Sequence, residues 1–204
     1  MAVLPATVED FQRVAELHAA NISQGFLSVL GVPFLKCLYQ AISSAPRSAV
    51  LVAKDDKGVH GFAAVTGDLS GCYRWVLGHA AFPLAICVLP RLTDIRIWQK
   101  MAETLLYPFR AARRSRDEAV RGHRAELLAI VVGEESQGRG LGKYMMGVVD
   151  GWFAGQQTSQ YSVVTYALDS RSNRFYQLCG FKLARTFINH GKPMHEYHRT
   201  LSKS

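Results

Sequence analysis

The sequence predicts an α/β fold, a mixed α+β sheet flanked by helices, and three observations lead to it. The apolar run at residues 127–132 has the length and composition of a strand buried on both faces. Before it, β-rich runs at residues 49–53 and 61–65, separated by a turn of Asp, Lys and Gly, predict a hairpin. After it, apolar residues recur at the spacing of one helix face: Leu141, Met145, Val148, Val149 and Trp152.

Further elements are predicted on either side of this centre. Thr7 is a suitable N-cap for a first helix, because acidic residues follow it in the first turn. Pro33 favours the start of a second helix, which ends before Pro46. Alternating β-branched and aromatic residues at 161–168 predict a strand, and Gly191 lies in the turn between two closing strands.

Composition favours one domain over residues 1–204, because 49% of the residues are hydrophobic and only 20% are charged. The net charge of +8 favours polyanionic partners. The cysteines have no metal-ligand or CxxC spacing, so we expect free, mostly buried thiols, no metal and a cytoplasmic location. No signal peptide is predicted, and no apolar run approaches the roughly 18 residues of a membrane span.

A glycine-rich turn joins the buried strand to the long helix, with the sequence Gln137-Gly138-Arg139-Gly140-Leu141-Gly142. Unpaired N–H groups and the positive end of the helix dipole attract an anion at such a position. Glycines also allow a bulky anion, such as a pyrophosphate, to approach the backbone closely. The turn is therefore a predicted phosphate site.

Spacing excludes the two commonest phosphate loops. A P-loop needs glycine five residues before Gly142 and a hydroxyl residue after Lys143, but Gln137 and Tyr144 stand there. A dinucleotide fingerprint needs glycine at its sixth position, where this chain has Lys143 or Met145. The remaining pattern is Gln-x-x-Gly-x-Gly after a buried strand.

This pattern resembles the GNAT superfamily of acyl-CoA-dependent N-acyltransferases. Phe175-Tyr176 followed by Gly180-Phe181 matches the second signature of that family, at the family's distance after the first. The order of two helices, a hairpin and a longer buried strand is also that of the family. The resemblance extends from Val3 to about Leu201 and is closer after residue 125, so it implies a GNAT-type fold.

The resemblance implies acetyl-CoA as cosubstrate. In the family the glycine loop holds the pyrophosphate of coenzyme A, and the adjoining strand splays open so that a backbone N–H near Val131 or Val132 polarises the thioester. The cofactor-binding residues carried over are Ile130, Val131, Val132, Gln137, Gly138, Arg139, Gly140, Leu141, Gly142, Lys143, Ser172 and Arg174.

Two catalytic residues also follow from the resemblance. Glu126 matches a glutamate that serves several family members as a base, and the alternative is a strand-edge residue that lies in solvent or is salt-bridged to Arg124. Tyr176 matches the tyrosine that protonates the coenzyme A sulfur, and the alternative is a core aromatic residue. The family commonly has Asn and Ala where this chain has Asp169 and Ser172, so we do not expect Asp169 to make the usual contact.

The implied reaction is transfer of an acetyl group to a primary amine by direct attack in a ternary complex, since no cysteine has a nucleophile context. The acceptor is expected to be a small molecule, with an amino sugar as one candidate. An acyl-CoA sensor without turnover is the alternative. We expect a monomer or a homodimer.

The chain departs from minimal family members at residues 70–124, where a helical and basic insertion is predicted between the third and fourth strands. An apolar run at 84–89 precedes a helix face of Ile95, Trp98, Met101 and Leu105, and arginines follow as far as Arg124. Three interpretations remain open: a packed insertion with a solvated basic loop, a lid over the acceptor site, or weak contact with an anionic surface such as a membrane. Nucleic acid is not expected, because the basic run lacks interleaved aromatic residues.

Overall fold

The computed structural model describes residues 1–22, 26–88, 124–189 and 191–201. In chain order its elements are β1 (Ala2–Pro5), α1 (Asp10–Asn21), α2 (Phe26–Leu30), α3 (Val32–Ser44), β2 (Ser48–Asp55), β3 (Gly58–Thr66), α4 (Leu69–Val88), β4 (Glu126–Val132), a 3₁₀ turn (Glu134–Ser136), α5 (Leu141–Gly155), β5 (Gln160–Tyr166), α6 (Ser170–Leu178), β6 (Lys182–Asn189) and β7 (Lys192–Thr200).

The strands form one seven-stranded sheet in the order β1-β2-β3-β4-β5-β7-β6. Every neighbouring pair is antiparallel except β4 and β5, which are parallel. The predicted mixed sheet flanked by helices is therefore confirmed, and so is the hairpin of β2 and β3.

Helices cover both faces of this sheet, because successive strand residues point to opposite sides. On β2 and β3, the set Val50, Val52, Phe62 and Ala64 packs in the core with α1, α3 and α4. The alternate residues Leu51, Ala53, Ala63 and Val65 pack in the second core with α5.

The start of α1 differs in chemistry from the predicted cap. The Thr7 hydroxyl does not accept a hydrogen bond from the helix; the Thr7 N–H and hydroxyl instead donate to the Asp10 carboxylate, at 2.8 and 2.9 Å. Lys54 Nζ of β2 lies 2.8 Å from the same carboxylate. Although burial acts to raise it, hydrogen bonds from Lys54 and Thr7 lower the pKa of Asp10. The cap therefore also ties α1 to the sheet.

The predicted insertion begins with a core element. Residues 69–88 form a single helix, α4, with Pro83 inside it. Four of its side chains, spaced four residues apart, are buried in the core with α1 and α3: Cys72, Val76, Ala80 and Leu84. The predicted helix face from Ile95 to Leu105 and the arginines before Arg124 lie outside the described residues.

The cysteines are free, as predicted, but the expectation that most are buried is wrong. Cys72 is buried, whereas Cys37, Cys87 and Cys179 are half-buried. The thiols of Cys37 and Cys87 lie 3.9 Å apart between α3 and α4. Among the described helices, none is long and apolar enough to cross a membrane.

Candidate active site

The centre of the sheet is open between β4 and β5. Over the described residues, β4 pairs with β5 only at Glu126–Ser162 and Leu127–Val163. On its other edge β4 pairs with β3. Leu128 forms a β-bulge there, because Val65 pairs with Leu127 and Ala64 with Ala129, so that Leu128 has no partner in the register. Such a bulge bends its strand. From Leu128 onward, the β5-facing edge of β4 therefore offers backbone groups that no strand of the described chain pairs.

The glycine loop follows the open edge. Gly138 and Gly140 have φ angles of 76° and 80°, in the left-handed region that favours glycine. A Cβ at either position would meet nothing within 4 Å, so the loop faces free space. Gly140 directly precedes α5, whose first-turn N–H groups lack carbonyl partners one turn earlier. These N–H groups and the helix dipole make the loop suited to an anion.

Gln137 closes this loop onto the surrounding elements. Its Nε2 donates to the Val132 carbonyl at 2.8 Å and to Asn21 Oδ1 at 3.3 Å. Its Oε1 accepts a hydrogen bond of 2.5 Å from Arg171 of α6. The side chain therefore braces the loop, and the backbone N–H of Gln137 donates to the Glu134 carbonyl.

Three predicted cofactor-binding residues, Arg139, Lys143 and Arg174, are exposed cations on the loop and on α5 and α6. Gly142 lies within α5, where a Cβ would come 3.1 Å from the Phe175 ring of α6. Glycine at this position therefore allows the two helices to pack closely. Leu141 is buried in the core below the loop.

The start of α6 explains the unusual pair at positions 169 and 172. Asp169 is the N-cap, with Oδ1 accepting from the Ser172 N–H at 3.1 Å and Oδ2 from the Ser172 hydroxyl at 2.6 Å. Both departures from the family pattern thus form one cap. The carboxylate is engaged locally, as one expects of an N-cap.

Asn173 is a structural residue that the sequence did not reveal. It is buried, and its Nδ2 donates to the carbonyls of Tyr166, Ala167 and Asp169 at 3.0, 3.2 and 2.6 Å. Its Oδ1 accepts from the Tyr197 hydroxyl at 2.9 Å. One amide therefore joins the end of β5, α6 and β7. A polar residue on the inner face of a short helix was the only signal for it.

Tyr176 is 7% exposed and packs among aromatic rings, including Phe175 and Phe181 at 5.5 Å each. Its hydroxyl forms no hydrogen bond with a described residue. Among the fully enclosed polar side-chain atoms of the described chain, Nε2 of His18 alone has no hydrogen-bond partner. The Tyr176 hydroxyl has no partner either, so it is not fully enclosed and reaches accessible space. Burial raises the pKa of Tyr176 above its usual value, which keeps the hydroxyl protonated.

Glu126 begins β4, and its side chain is 13% exposed. Its Oε2 lies 3.4 Å from the Ser162 hydroxyl and 3.4 Å from Arg124 Nη2. Burial raises the pKa of Glu126 to about 7, opposed by Arg124 and assisted by the negative charge of Glu196. The Arg124 contact of the alternative interpretation exists, but it does not hold the carboxyl in its ionised form.

Glu196 of β7 is the second residue that sequence reasoning missed. Its side chain is 5% exposed, and it accepts from Arg124 and Arg185 at 2.7 Å each and from His198 at 2.9 Å. Although burial acts to raise it, these partners lower the pKa of Glu196 below its usual value. The alternation of β7 places Glu196 and His198 on one face, but Arg185 comes from β6 and Arg124 lies before β4.

The predicted site residues thus lie along one line. Glu126 is at the first residue of β4, the half-buried Ile130 and Val132 line its open edge, and the glycine loop follows its last residue. At about 3.3 Å per residue, β4 extends roughly 20 Å from Glu126 to Val132, and the 3₁₀ turn then leads to the glycine loop. No group of three or more metal-ligating side chains gathers in the described chain.

A sequence model of the acetyltransferase (GNAT) family matches residues 19–181. An N-acetyltransferase from Staphylococcus aureus Mu50 has 12% identity and a TM-score of 0.63, over 98% of each chain. A GNAT-family protein from Desulfovibrio desulfuricans has 14% identity and a TM-score of 0.63, over 98% of this chain and 99% of that one. The yncA protein of Salmonella typhimurium, solved with its cofactor acetyl-CoA, has 12% identity and a TM-score of 0.62, over 100% of this chain and 95% of that one. At these identities the structures show similarity of fold alone. A comparison with curated protein sequences gave no match.

Proposed function

We propose that this chain, which belongs to the GNAT family of acetyltransferases, acts as one domain that transfers an acetyl group from acetyl-CoA to a primary amine. The observation that carries the proposal is the arrangement along β4. β4 has an anion-binding loop beyond one end, an unpaired edge along its middle and, at the other end, a carboxyl with a pKa of about 7.

Acetyl-CoA fits the loop end of this line. The pyrophosphate would lie against the N–H groups of residues 138–143, with the exposed cations Arg139, Lys143 and Arg174 nearby. The pantetheine arm would run along the open edge past Ile130, Val131 and Val132, where free backbone groups are available to an extended ligand. Ser172 lies at the start of the neighbouring helix. The related yncA structure holds acetyl-CoA as its cofactor.

Glu126 is placed to accept the amine proton. An alkyl amine with a pKa near 10 is almost wholly protonated at neutral pH, so attack needs a base. Raising the pKa of the carboxyl from 4.5 to about 7 makes it a stronger base. This shift corresponds to roughly 3 kcal/mol of proton-transfer free energy.

The remaining steps use the open edge and Tyr176. The deprotonated amine attacks the thioester carbonyl, and a backbone N–H near Val131 or Val132 donates to the resulting oxyanion. Collapse forms the amide bond and breaks the carbon–sulfur bond. Tyr176, kept protonated by burial, then donates its proton to the departing thiolate. The products are an N-acetylated amine and coenzyme A.

Turnover and binding together test the proposal. The purified chain would be titrated with acetyl-CoA in a calorimeter and then assayed for thiol release with amino sugars, polyamines, amino acids and concentrated methylamine. We expect acetyl-CoA binding and amine-dependent thiol release, with the acetylated product seen by mass spectrometry. Binding without thiol release from any amine would favour the sensor, and absence of binding would refute both.

A further inference from the structure

We propose that Glu196 is a positioning residue for Glu126: it holds the neighbouring cations away from the Glu126 carboxyl and so leaves that carboxyl free to take a proton. The catalytic consequence rests on the proposed function. The effect on Glu126 itself rests on the arrangement of charges and can be measured without turnover.

A row of polar residues crosses the sheet at the start of β4. The pairing register places one residue from each of six strands side by side on one face: Ser48, Thr66, Glu126, Ser162, His198 and Lys182. Paired residues share a face, so their side chains are neighbours. In the adjacent row Glu196 pairs with Arg185. The two carboxylates therefore belong to one polar cluster.

Arg124 could serve either carboxylate, and its geometry favours Glu196. Its Nη2 lies 2.7 Å from Glu196 Oε1 but 3.4 Å from Glu126 Oε2. The shorter distance is that of a charge-assisted hydrogen bond, whereas 3.4 Å is beyond the usual range. Glu196 thus draws Arg124 away from Glu126.

Glu196 binds Arg185 and His198 in the same way. Arg185 Nε and His198 Nε2 bind its two oxygens at 2.7 and 2.9 Å. By contrast, the sole neutral donor to Glu126 in the described chain is the Ser162 hydroxyl, at 3.4 Å. Donors that reach Glu126 directly are therefore few and distant.

The charged and titratable groups around Glu126 agree with this arrangement, in which Glu196 binds the cations and Glu126 has few donors. Arg124 lies before the start of β4, Arg185 and Glu196 face Glu126 from β6 and β7, and His198 contacts Glu196. On the β3 side its partner is the uncharged Thr66, and the thiol of Cys72 beyond Thr66 has a pKa raised by burial. Glu196 therefore contributes the only negative charge among them.

The pKa values of two carboxyls in one cluster are thus shifted in opposite directions. Glu196, with three donors, has a lowered pKa and stays ionised. Glu126 is buried with weak donors and faces the charge of Glu196, so its pKa rises to about 7. Environments that separate the protonation of two nearby carboxyls in this way are the usual means of making one of them a base or an acid at neutral pH.

Glu196→Gln tests the inference directly. It removes the opposing charge and frees Arg124 to pair with Glu126, so we expect the pKa of Glu126 to fall by about one unit or more. The opposite variant, Arg124→Gln, removes the nearest cation and should raise the pKa of Glu126. Asp56→Asn is the matched control, because it removes one negative charge from the exposed β2–β3 turn at the far end of the sheet.

The readout is a carboxyl-carbon NMR titration of the full chain labelled with ¹³C-glutamate, in which Glu126→Gln identifies the Glu126 resonance. The inference is supported if the pKa of Glu126 falls in Glu196→Gln, rises in Arg124→Gln and does not change in Asp56→Asn. An unchanged Glu126 titration in folded Glu196→Gln would overturn it and leave Glu196 a structural residue. If Glu196→Gln does not fold, the decision passes to Arg124→Gln, for which an unchanged or lowered pKa overturns the inference.

The same titration separates this inference from the proposed function. If no amine is acetylated, the proposed function fails while the shifts in the Glu126 resonance remain readable. If transfer is observed, the acid limb of kcat/KM should move to lower pH in Glu196→Gln by the shift that NMR measures. A lower kcat at every pH with an unmoved limb would instead point to loss of structure around β7.

Discussion

Gly140 offers the sharpest test of the anion loop, because its geometry separates strain, bulk and charge. Its φ of 80° favours glycine, and a Cβ there would meet no atom within 4 Å. A substituted side chain would therefore not disturb the protein's own packing, and it would project into the space assigned to the pyrophosphate. Asn and Asp visit the left-handed region more readily than other residues, so both variants should fold.

The Asp variant adds a charge to the loop that the Asn variant does not. Repulsion between two unit charges 4 Å apart is about 1 kcal/mol in water and about 4 kcal/mol at the effective dielectric of a protein surface. Because 1.4 kcal/mol is a tenfold change in affinity, we expect Gly140→Asp to weaken coenzyme A binding by at least about tenfold relative to Gly140→Asn. Gly147→Asp, on an exposed position of the same helix, is the matched charge control.

Calorimetric titrations with coenzyme A and with pantetheine would measure this difference. Pantetheine lacks the pyrophosphate, so its affinity should be nearly the same in Gly140→Asn, Gly140→Asp and the parent chain. Equal weakening of both ligands in Gly140→Asp would mean that the loop does not hold the pyrophosphate. Equal weakening by Gly147→Asp would mean that net charge, and not the loop, governs binding.

Three further variants test the proton-transfer residues and the structure around them. Tyr176→Phe keeps the buried ring and should lower turnover by roughly 100-fold with little change in acetyl-CoA affinity, measured by steady-state kinetics and calorimetry. Glu126→Gln should lose activity near pH 7 and regain part of it at high pH, where the amine deprotonates unaided; a uniform loss at all pH values would indicate a positioning role. Because the folded chain keeps the Glu126 proton up to about pH 7 while the unfolded chain loses it near 4.5, wild-type stability should fall across that window. Urea unfolding at pH 8 should therefore show Glu126→Gln more stable than wild type by up to roughly 3 kcal/mol, with no such gain at pH 4. Asn173→Ala should cost about 2–3 kcal/mol in urea unfolding, because partly buried carbonyls lose their donor.

Features fixed by local chemistry could be predicted from the sequence. The apolar run became β4, and the glycines needed at positive φ stand at positions 138 and 140. Pro33 lies in the first turn of α3, as a residue without an N–H donor should. Each of these depends on a residue and its near neighbours, so short patterns suffice.

The helix α4 shows where periodicity fails. Its buried stripe consists of Cys72, Val76, Ala80 and Leu84, but its exposed face carries Phe82 and Ile86 as well. An apolar stripe is visible in a sequence only when the opposite face is polar. Periodicity therefore does not reveal that residues 69–88, at the start of the predicted insertion, complete the core with α3.

The protonation of Glu126 depends on a still longer-range feature. Its position at the head of a buried strand follows from the residues around it, and burial alone would raise its pKa. Whether Arg124 cancels that effect depends on Glu196, which reaches the cluster only through the register of β4 with β5 and of β5 with β7. A shift of one residue in either pairing would turn Glu196 to the opposite face of the sheet. Arg124 would then have Glu126 as its nearest carboxylate, and the candidate base would be ionised and held in a salt bridge.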